Sequence, residues 1–203
     1  MGMSGDMSII KLKTYTKKHI NMKKTIINPV VKDEVTFIQT ASESKGQLTV
    51  LSVKLMPGGG TPLHYHKNFS ETFTTIQGEL TVYLKNKKMI LKSGQKYTVQ
   101  KGVTHRFANE SDTAVFFSTT IQPGSEGFEK SLYILYGLAQ DNQTNDKGVP
   151  KSLLDLAVVS KISDMHQPGM LALLSPLITL FYFIARSKNI DKKLQQRYCP
   201  DFL

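Results

Sequence analysis

Short alternating segments between Val35 and Pro123 constrain the fold of this 203-residue chain more than any other feature. Runs rich in β-branched residues recur there at short intervals, separated by Gly, Asn, Lys and Ser. The runs are QLTVLSVKLMP, ETFTTI, ELTVYL, KMIL, KYTVQ, HRFANES and AVFFSTTIQ. Segments of this length with regular turn signals indicate an all-β sandwich or barrel. The LKNKKM stretch, where ELTVYL leads into KMIL, predicts a hairpin tip.

The period of the apolar residues changes after Gly124. In EGFEKSLYILYGLAQ and PKSLLDLAVVSKISDM the apolar residues recur at helical spacing, and GMLALLSPLITLFYFIA and RSKNIDKKLQQRY follow. We therefore predict a mainly β fold with a C-terminal α-helical appendage. We expect a mobile N-terminal extension at 1–24, a β-barrel at 25–124, and a helical region at 125–203 that packs on the barrel or on a dimer partner.

The formal charge of +10 is concentrated at the two ends of the chain. Residues 1–24 hold six lysines and one aspartate, and residues 186–203 hold five basic and two acidic side chains. Basic tails without interleaved aromatic residues are typical of solvated ends, so we expect no nucleic-acid partner. The N-terminal region has no apolar run as long as a signal-peptide core, and Met22 opens a segment that is a more natural start than Met1.

The run GMLALLSPLITLFYFIA carries no charge over its seventeen residues. It is shorter than the roughly twenty residues that span a bilayer, and Pro176 interrupts it. We expect it to pack on the barrel or on a second subunit rather than in a membrane. The apolar helical faces together need a cover, which predicts a homodimer. The single cysteine, Cys199, fits a reducing compartment, so we expect a cytoplasmic protein.

Two of the five histidines, His64 and His66, stand one residue apart in PGGGTPLHYHKNFSETFTTIQG. Alternate side chains of a strand share a face, so both imidazoles point the same way, and a turn at KNFS returns Glu71 to that face. Two imidazoles and one carboxylate form a metal site that lacks a ligand. His105 in GVTHRFAN is the candidate, because the other two histidines lie in the N-terminal tail and beyond the β region.

The spacing of these residues resembles the two sequence motifs of the cupin family. The matching residues are Gly58, His64, His66, Glu71 and Gly78 in the first motif, and Gly94, Gly102, His105 and Asn109 in the second. Gln100 stands where the family usually has proline, which puts the local turn geometry in question rather than the ligands. The resemblance covers residues 46–122, somewhat over a third of the chain.

This resemblance implies a single antiparallel jelly-roll β-barrel that binds one divalent metal. The residues that match the family's ligands are His64, His66, Glu71 and His105. Three imidazoles and one carboxylate suit Fe, Mn, Ni, Co, Cu or Zn rather than Ca or Mg. Four protein ligands leave one or two positions open for water, dioxygen or a chelating substrate. The alternative is a barrel of the same fold that holds no metal.

Strand parity also predicts the wall of the cavity around this site. The residues expected to share the interior with the ligands are Met56, Phe73, Thr75, Val82 and Phe107, and this mostly apolar set suits an aromatic or otherwise apolar small molecule. Two hypotheses follow. One is a metal-dependent enzyme, most plausibly an oxygenase, in which Glu71 doubles as a general base. The other is a non-catalytic module that binds a metal or a small molecule.

Overall fold

The computed structural model describes residues 25–199, and the predicted extension at 1–24 lies outside the described residues. Strands occupy the first part of this range and helices the second. The strands are β1 (Thr25–Asn28), β2 (Asp33–Gln39), β3 (Thr49–Leu55), β4 (Ser70–Gln77), β5 (Glu79–Leu84), β6 (Lys87–Lys92), β7 (Lys96–Val99), β8 (His105–Ala108) and β9 (Val115–Gln122). The helices are α1 (Glu126–Gln140), α2 (Leu153–Ile162), a 3₁₀ helix (Gly169–Leu174), α3 (Ser175–Ser187) and α4 (Ile190–Tyr198).

The strands form two antiparallel sheets. One has six strands in the order β1-β2-β3-β9-β4-β7, and the other has three in the order β6-β5-β8. The interior rings of Phe73, Phe107 and Phe117 meet edge to face, with centroids 5.3–6.1 Å apart, so the two sheets share one core. The predicted class, a mainly β jelly-roll with a C-terminal helical appendage, is confirmed, although the strands are divided between two sheets.

The two central strands of the large sheet show why this core forms. In β3 and β9 buried side chains alternate with partly exposed ones, as a period of two dictates for a sheet with one covered face. Leu55, Val115 and Phe117 are completely buried. Burial of each such side chain contributes about 1.5–3 kcal/mol to the stability of the fold. A one-residue slip of a strand would expose all of these side chains, so the alternation also fixes the strand register.

Helix α1 is attached to the large sheet by an aromatic contact and a buried carboxylate. The rings of Phe37 and Tyr133 stack with centroids 4.9 Å apart. Glu129 Oε1 accepts hydrogen bonds from the Ala41 backbone N–H at 2.6 Å and the Thr49 hydroxyl at 2.5 Å. These contacts join α1 to β3 and to the loop after β2, so the helical region has a fixed position over the edge of the β structure.

The charge-free run in the helical region is interrupted at Pro176, as expected. It forms the 3₁₀ helix Gly169–Leu174 and the start of α3, with the proline in the first turn of α3. None of the helices between residues 25 and 199 combines the length and apolar character needed to cross a membrane. This run presents large apolar side chains at the surface, namely Met170, Leu173, Leu174, Leu177, Leu180 and Phe183.

The homodimer expected from the sequence stays a prediction, and these exposed side chains give it a test. Leu173 and Phe183 are 77% and 61% exposed, so glutamate at both positions should convert a dimer to a monomer with little effect on the fold. Light scattering after size exclusion measures the mass directly. Ile38→Glu, an exposed apolar position on β2, is the control and should leave the mass unchanged. A monomeric wild-type protein across the concentration range would contradict the dimer.

Candidate metal centre

The backbones of His64 and His105 pair with each other, which brings their side chains together. The His64 N–H donates to the His105 carbonyl at 2.9 Å, and the His105 N–H donates back at 2.8 Å. Gly60 lets the incoming segment lie this close to β8, because a Cβ there would stand 2.5 Å from the Phe107 carbonyl oxygen. The two imidazole centroids are 4.5 Å apart. His64 therefore reaches the barrel interior from a segment outside the named strands.

Glu71 completes the group from the opposite sheet. It lies on β4 of the large sheet, whereas His105 lies on β8 of the small sheet, and His66 follows His64 on the connecting segment. All four side chains are buried, and their ligand atoms lie within 4.8 Å of one another. His105 Nε2 is 2.9 Å from Glu71 Oε2. The structure thus brings together the four residues predicted as a metal group.

The outer ring nitrogen of each histidine contacts a backbone carbonyl. The Nδ1 contacts are His64 to Pro62 at 2.7 Å, His66 to Asp164 at 3.1 Å and His105 to Val103 at 2.9 Å. A carbonyl oxygen only accepts, so each Nδ1 carries the proton. In a neutral ring Nε2 then holds a lone pair. Once the proton between His105 and Glu71 is displaced, three lone pairs and a carboxylate face one small buried space, which is the donor set of a transition-metal site.

The protonation equilibria of the group follow from burial and proximity. Burial, reinforced by His105 and His66, lowers the pKa of His64 to about 3, so its imidazole is neutral. Burial alone would raise the pKa of Glu71 and lower that of His105. Burial is the largest single effect, but the hydrogen bonds and charge interactions with His105 and His66 together outweigh it for Glu71, so the pKa of Glu71 falls. The hydrogen bond and charge of Glu71, with the Val103 carbonyl, likewise outweigh burial for His105, so the pKa of His105 rises. The pair shares a proton that a bound cation would displace.

One nitrogen in the group has no hydrogen-bond partner. His66 Nε2 is buried, and its nearest carboxylate oxygen, Glu71 Oε2, is 3.6 Å away, which is too long for a hydrogen bond. A buried polar atom without a partner costs folding free energy. A divalent cation would satisfy this nitrogen and the other inward-facing donors together, so the residues present fit a metal of this class.

The helical region contributes to the site through Asp164, just after α2. Its carboxylate accepts hydrogen bonds from the backbone N–H groups of Lys67 at 2.8 Å and Asn68 at 2.7 Å. Next to it, Tyr65 and His166 exchange two backbone hydrogen bonds of 3.0 Å each. The segment 163–166 therefore holds the ligand segment from outside. Sequence reasoning missed it, because Asp164 lies almost a hundred residues away and no local pattern points to this role.

A cavity of about 620 Å³ opens next to the group and extends between the sheets and the helices. His64 and Glu71 line it at the metal group. Most of the remaining wall is apolar and comes from both parts of the chain, namely Val35, Leu51, Val53, Phe107, Phe128, Leu132, Leu135, Leu156, Val159 and Ile178. The site therefore has room for a small organic molecule beside the four donors.

The five residues predicted to line the cavity have different positions. Phe107 lines it. Phe73, Thr75 and Val82 are buried at 0–1% exposure but belong to the core and do not contribute to the cavity wall. Met56 is 44% exposed, which corrects its assignment to the interior. β3 ends at Leu55, whose side chain takes the inward position, so the next side chain points outward.

The helical part of the wall was not predicted either. Strand parity reports which side chains share a sheet face but carries no information about which helix covers that face. The apolar spacing along α1 and α2 was the available signal. It indicated that these helices bury a face, but not that part of this face borders a cavity.

Comparison with known proteins identifies the β part. Residues 51–124 match the family model described as a cupin domain of the Cupin_2 type. An uncharacterised protein of Aquifex aeolicus (strain VF5) is 34% identical over 55 residues, which cover 27% of this chain and 46% of that protein. The chain thus matches less than half the length of this curated relative.

Several solved structures are also similar to part of the chain. A predicted oxalate decarboxylase of Thermotoga maritima is 22% identical to this chain over the aligned residues, with a TM-score of 0.43. The alignment covers 45% of this chain and 80% of that protein. KdgF of a Halomonas species is 16% identical, with coverages of 47% and 82% and a TM-score of 0.43. An RmlC-like cupin of Shewanella frigidimarina NCIMB 400 is 18% identical, with coverages of 52% and 89% and a TM-score of 0.45.

Removal of the Asp164 side chain tests whether the helical region holds the ligand segment. Asp164→Ala removes the acceptor of several hydrogen bonds, so we expect the free energy of unfolding to fall by about 1–3 kcal/mol. Asp164→Asn retains one acceptor oxygen and should give a smaller loss. Urea denaturation measures both, with the exposed Asp112→Ala as the control. An Asp164→Ala protein as stable as the control would contradict this role.

Proposed function

We propose that this chain, whose residues 51–124 match a cupin domain model, binds one divalent transition metal and acts on a small, largely apolar organic molecule. The proposed ligands are His64, His66, Glu71 and His105. The observation that supports the proposal most is the inward set of three Nε2 lone pairs and one carboxylate, each buried and each histidine held by a carbonyl at Nδ1.

The donor set restricts the metal. Three imidazoles and one carboxylate favour Fe, Mn, Ni, Co, Cu or Zn over Ca and Mg, which prefer oxygen ligands. When bound, a metal of this class supplies Lewis-acid or redox chemistry at its open coordination positions. The protein's own contribution is the fixed orientation of the imidazoles, since each Nδ1–H···O=C contact sets both the tautomer and the ring plane.

The wall of the cavity indicates the class of substrate. Its apolar side chains offer hydrocarbon contacts to a ligand beside Glu71. The lysines that line the cavity, Lys67, Lys147 and Lys161, are exposed and therefore lie at its rim. A phosphorylated sugar would need a basic group farther in, so the arrangement favours an aromatic or aliphatic substrate with metal-chelating oxygens.

We place the reaction in the oxygenase class, with dioxygen as the second substrate. The nitrogen-rich ligand set accepts redox-active metals, and the apolar wall of the cavity suits an apolar substrate. Glu71 lines the cavity as well as contacting His105, so a carboxylate oxygen is placed beside the substrate, where it can accept a proton.

Metal content is the direct test of the ligand assignment. Protein that is purified without chelators, or reconstituted with metal under anaerobic conditions, should contain one metal ion per chain. Inductively coupled plasma mass spectrometry measures this metal content. Cobalt titration followed by visible absorption should give the same stoichiometry. His64→Ala and His105→Ala should each weaken metal affinity by more than about 100-fold. This loss exceeds the roughly 10–100-fold effect of removing a residue that only hydrogen-bonds to a metal ligand. His166→Ala is the matched control, since this histidine lies outside the group, and equal losses in all three variants would contradict the assignment.

Oxygen uptake separates an enzyme from a binding module. Metal-filled protein is supplied with a panel of phenolic and dicarbonyl compounds in an oxygen electrode. Uptake with at least one compound is expected, and His66→Ala should reduce it to the background rate, because that variant lacks one nitrogen donor. A metal-filled protein that consumes oxygen no faster than this variant with every compound would contradict the oxygenase assignment and favour a non-catalytic module.

A further inference from the structure

A second polar site lies in the same cavity, on residues outside the metal group. Asp33, the first residue of β2, is 4% exposed and lines the cavity together with Tyr136 of α1. The Tyr136 hydroxyl donates a hydrogen bond of 2.6 Å to Asp33 Oδ2. The other oxygen, Oδ1, is buried, and no group between residues 25 and 199 donates to it. The carboxyl group is therefore fixed by one oxygen and unsatisfied at the other.

The surroundings of Asp33 make this unsatisfied oxygen unusual. Burial raises the pKa of Asp33 to about 7, although the Tyr136 hydroxyl acts in the opposite direction. Val35, on the same face of β2, and its cross-strand partner Val53 offer no hydrogen-bond donor, and the Asn28 amide opposite Asp33 makes no hydrogen bond to Oδ1. A buried acceptor without a donor is retained at a cost in stability, and such groups in cavities commonly bind a ligand or an ordered water.

We propose that Asp33 Oδ1 accepts a hydrogen bond from a hydroxyl group of an otherwise apolar small molecule that occupies the cavity. The hydrocarbon body of this molecule lies against the apolar wall, and its hydroxyl meets the oxygen that the protein leaves unpaired. Tyr136 is a positioning residue, because its hydrogen bond to Oδ2 orients the carboxyl group. A neutral hydroxyl suits the site better than an ammonium group, whose burial against this wall would be costly.

This inference extends the proposed function, since the metal group and Asp33 line one cavity. A substrate that reached both would carry chelating oxygens at one end and a hydroxyl at the other. Its apolar middle would be selected by the helices, which supply much of the intervening wall. The hydroxyl site itself needs no metal, so it can be tested in metal-free protein.

The test compares two ligands that differ in one hydrogen-bond donor. Chelator-treated full-length protein is titrated calorimetrically with 4-butylphenol and with 4-butylanisole, whose methyl ether cannot donate. The titrations are run about two pH units above the Asp33 pKa of about 7, so that the carboxylate is charged. Wild-type protein should then bind the phenol about tenfold more tightly, the effect of one hydrogen bond to a charged acceptor. Asp33→Leu should bring the ratio of the two affinities to about one. Asp33→Asn, which retains the shape but not the charge, should leave about a threefold preference.

Thr119→Val is the matched control, because it removes another hydroxyl of the cavity wall but leaves Asp33 and Tyr136 in place, and it should keep the preference for the phenol. Equal affinities in wild-type protein, or no binding of either compound, would overturn the proposal. An unchanged preference in both Asp33 variants would also overturn it, by locating the acceptor elsewhere. Cobalt binding by wild-type protein is measured separately, so failure of the hydroxyl site and failure of the metal assignment are distinguished.

Discussion

Three hydrogen bonds from imidazole Nδ1 to backbone carbonyls determine what the interior of this protein can do. They fix the tautomer of His64, His66 and His105 and turn the Nε2 lone pairs toward Glu71. Backbone carbonyls do not change charge with pH, so these three constraints are permanent. Several buried acceptor atoms therefore face one another, which is unfavourable unless a cation or a proton lies between them. The site consequently favours a bound positive charge.

The helical region is part of this centre rather than a separate attachment. One of the three carbonyls belongs to Asp164, and the ring of Phe128 on α1 contacts the His66 ring edge to face with centroids 6.0 Å apart. Phe69 stacks on His66 with centroids 4.3 Å apart and also contacts Phe128. The orientation of His66 therefore depends on residues from both halves of the chain, and the docking of α1 through Glu129 supports it indirectly.

The fold and the four candidate ligands could be predicted because both depend on short-range patterns. Alternation along β3 and β9 reports a covered sheet face, and the His64-x-His66 spacing places two imidazoles on one side of an extended segment. The roles of Asp164 and Tyr136 could not be predicted. They depend on where a helix lands on a sheet, which is set by packing between residues about a hundred positions apart. The assignment of Met56 was wrong for a local reason, because the alternation along β3 turns Leu55 inward and therefore the next side chain outward.

The four candidate ligands lie between residues 64 and 105, whereas much of the cavity wall and the hydroxyl of Tyr136 come from the helices after residue 125. The candidate ligands and much of the cavity wall thus lie on different stretches of the polypeptide. Exchange of the helical residues that line the cavity, with Phe128, Glu129 and the segment 163–166 kept, would reshape the cavity while the candidate ligands retained their supporting contacts. The barrel could in this sense stay constant while its helical cover was varied.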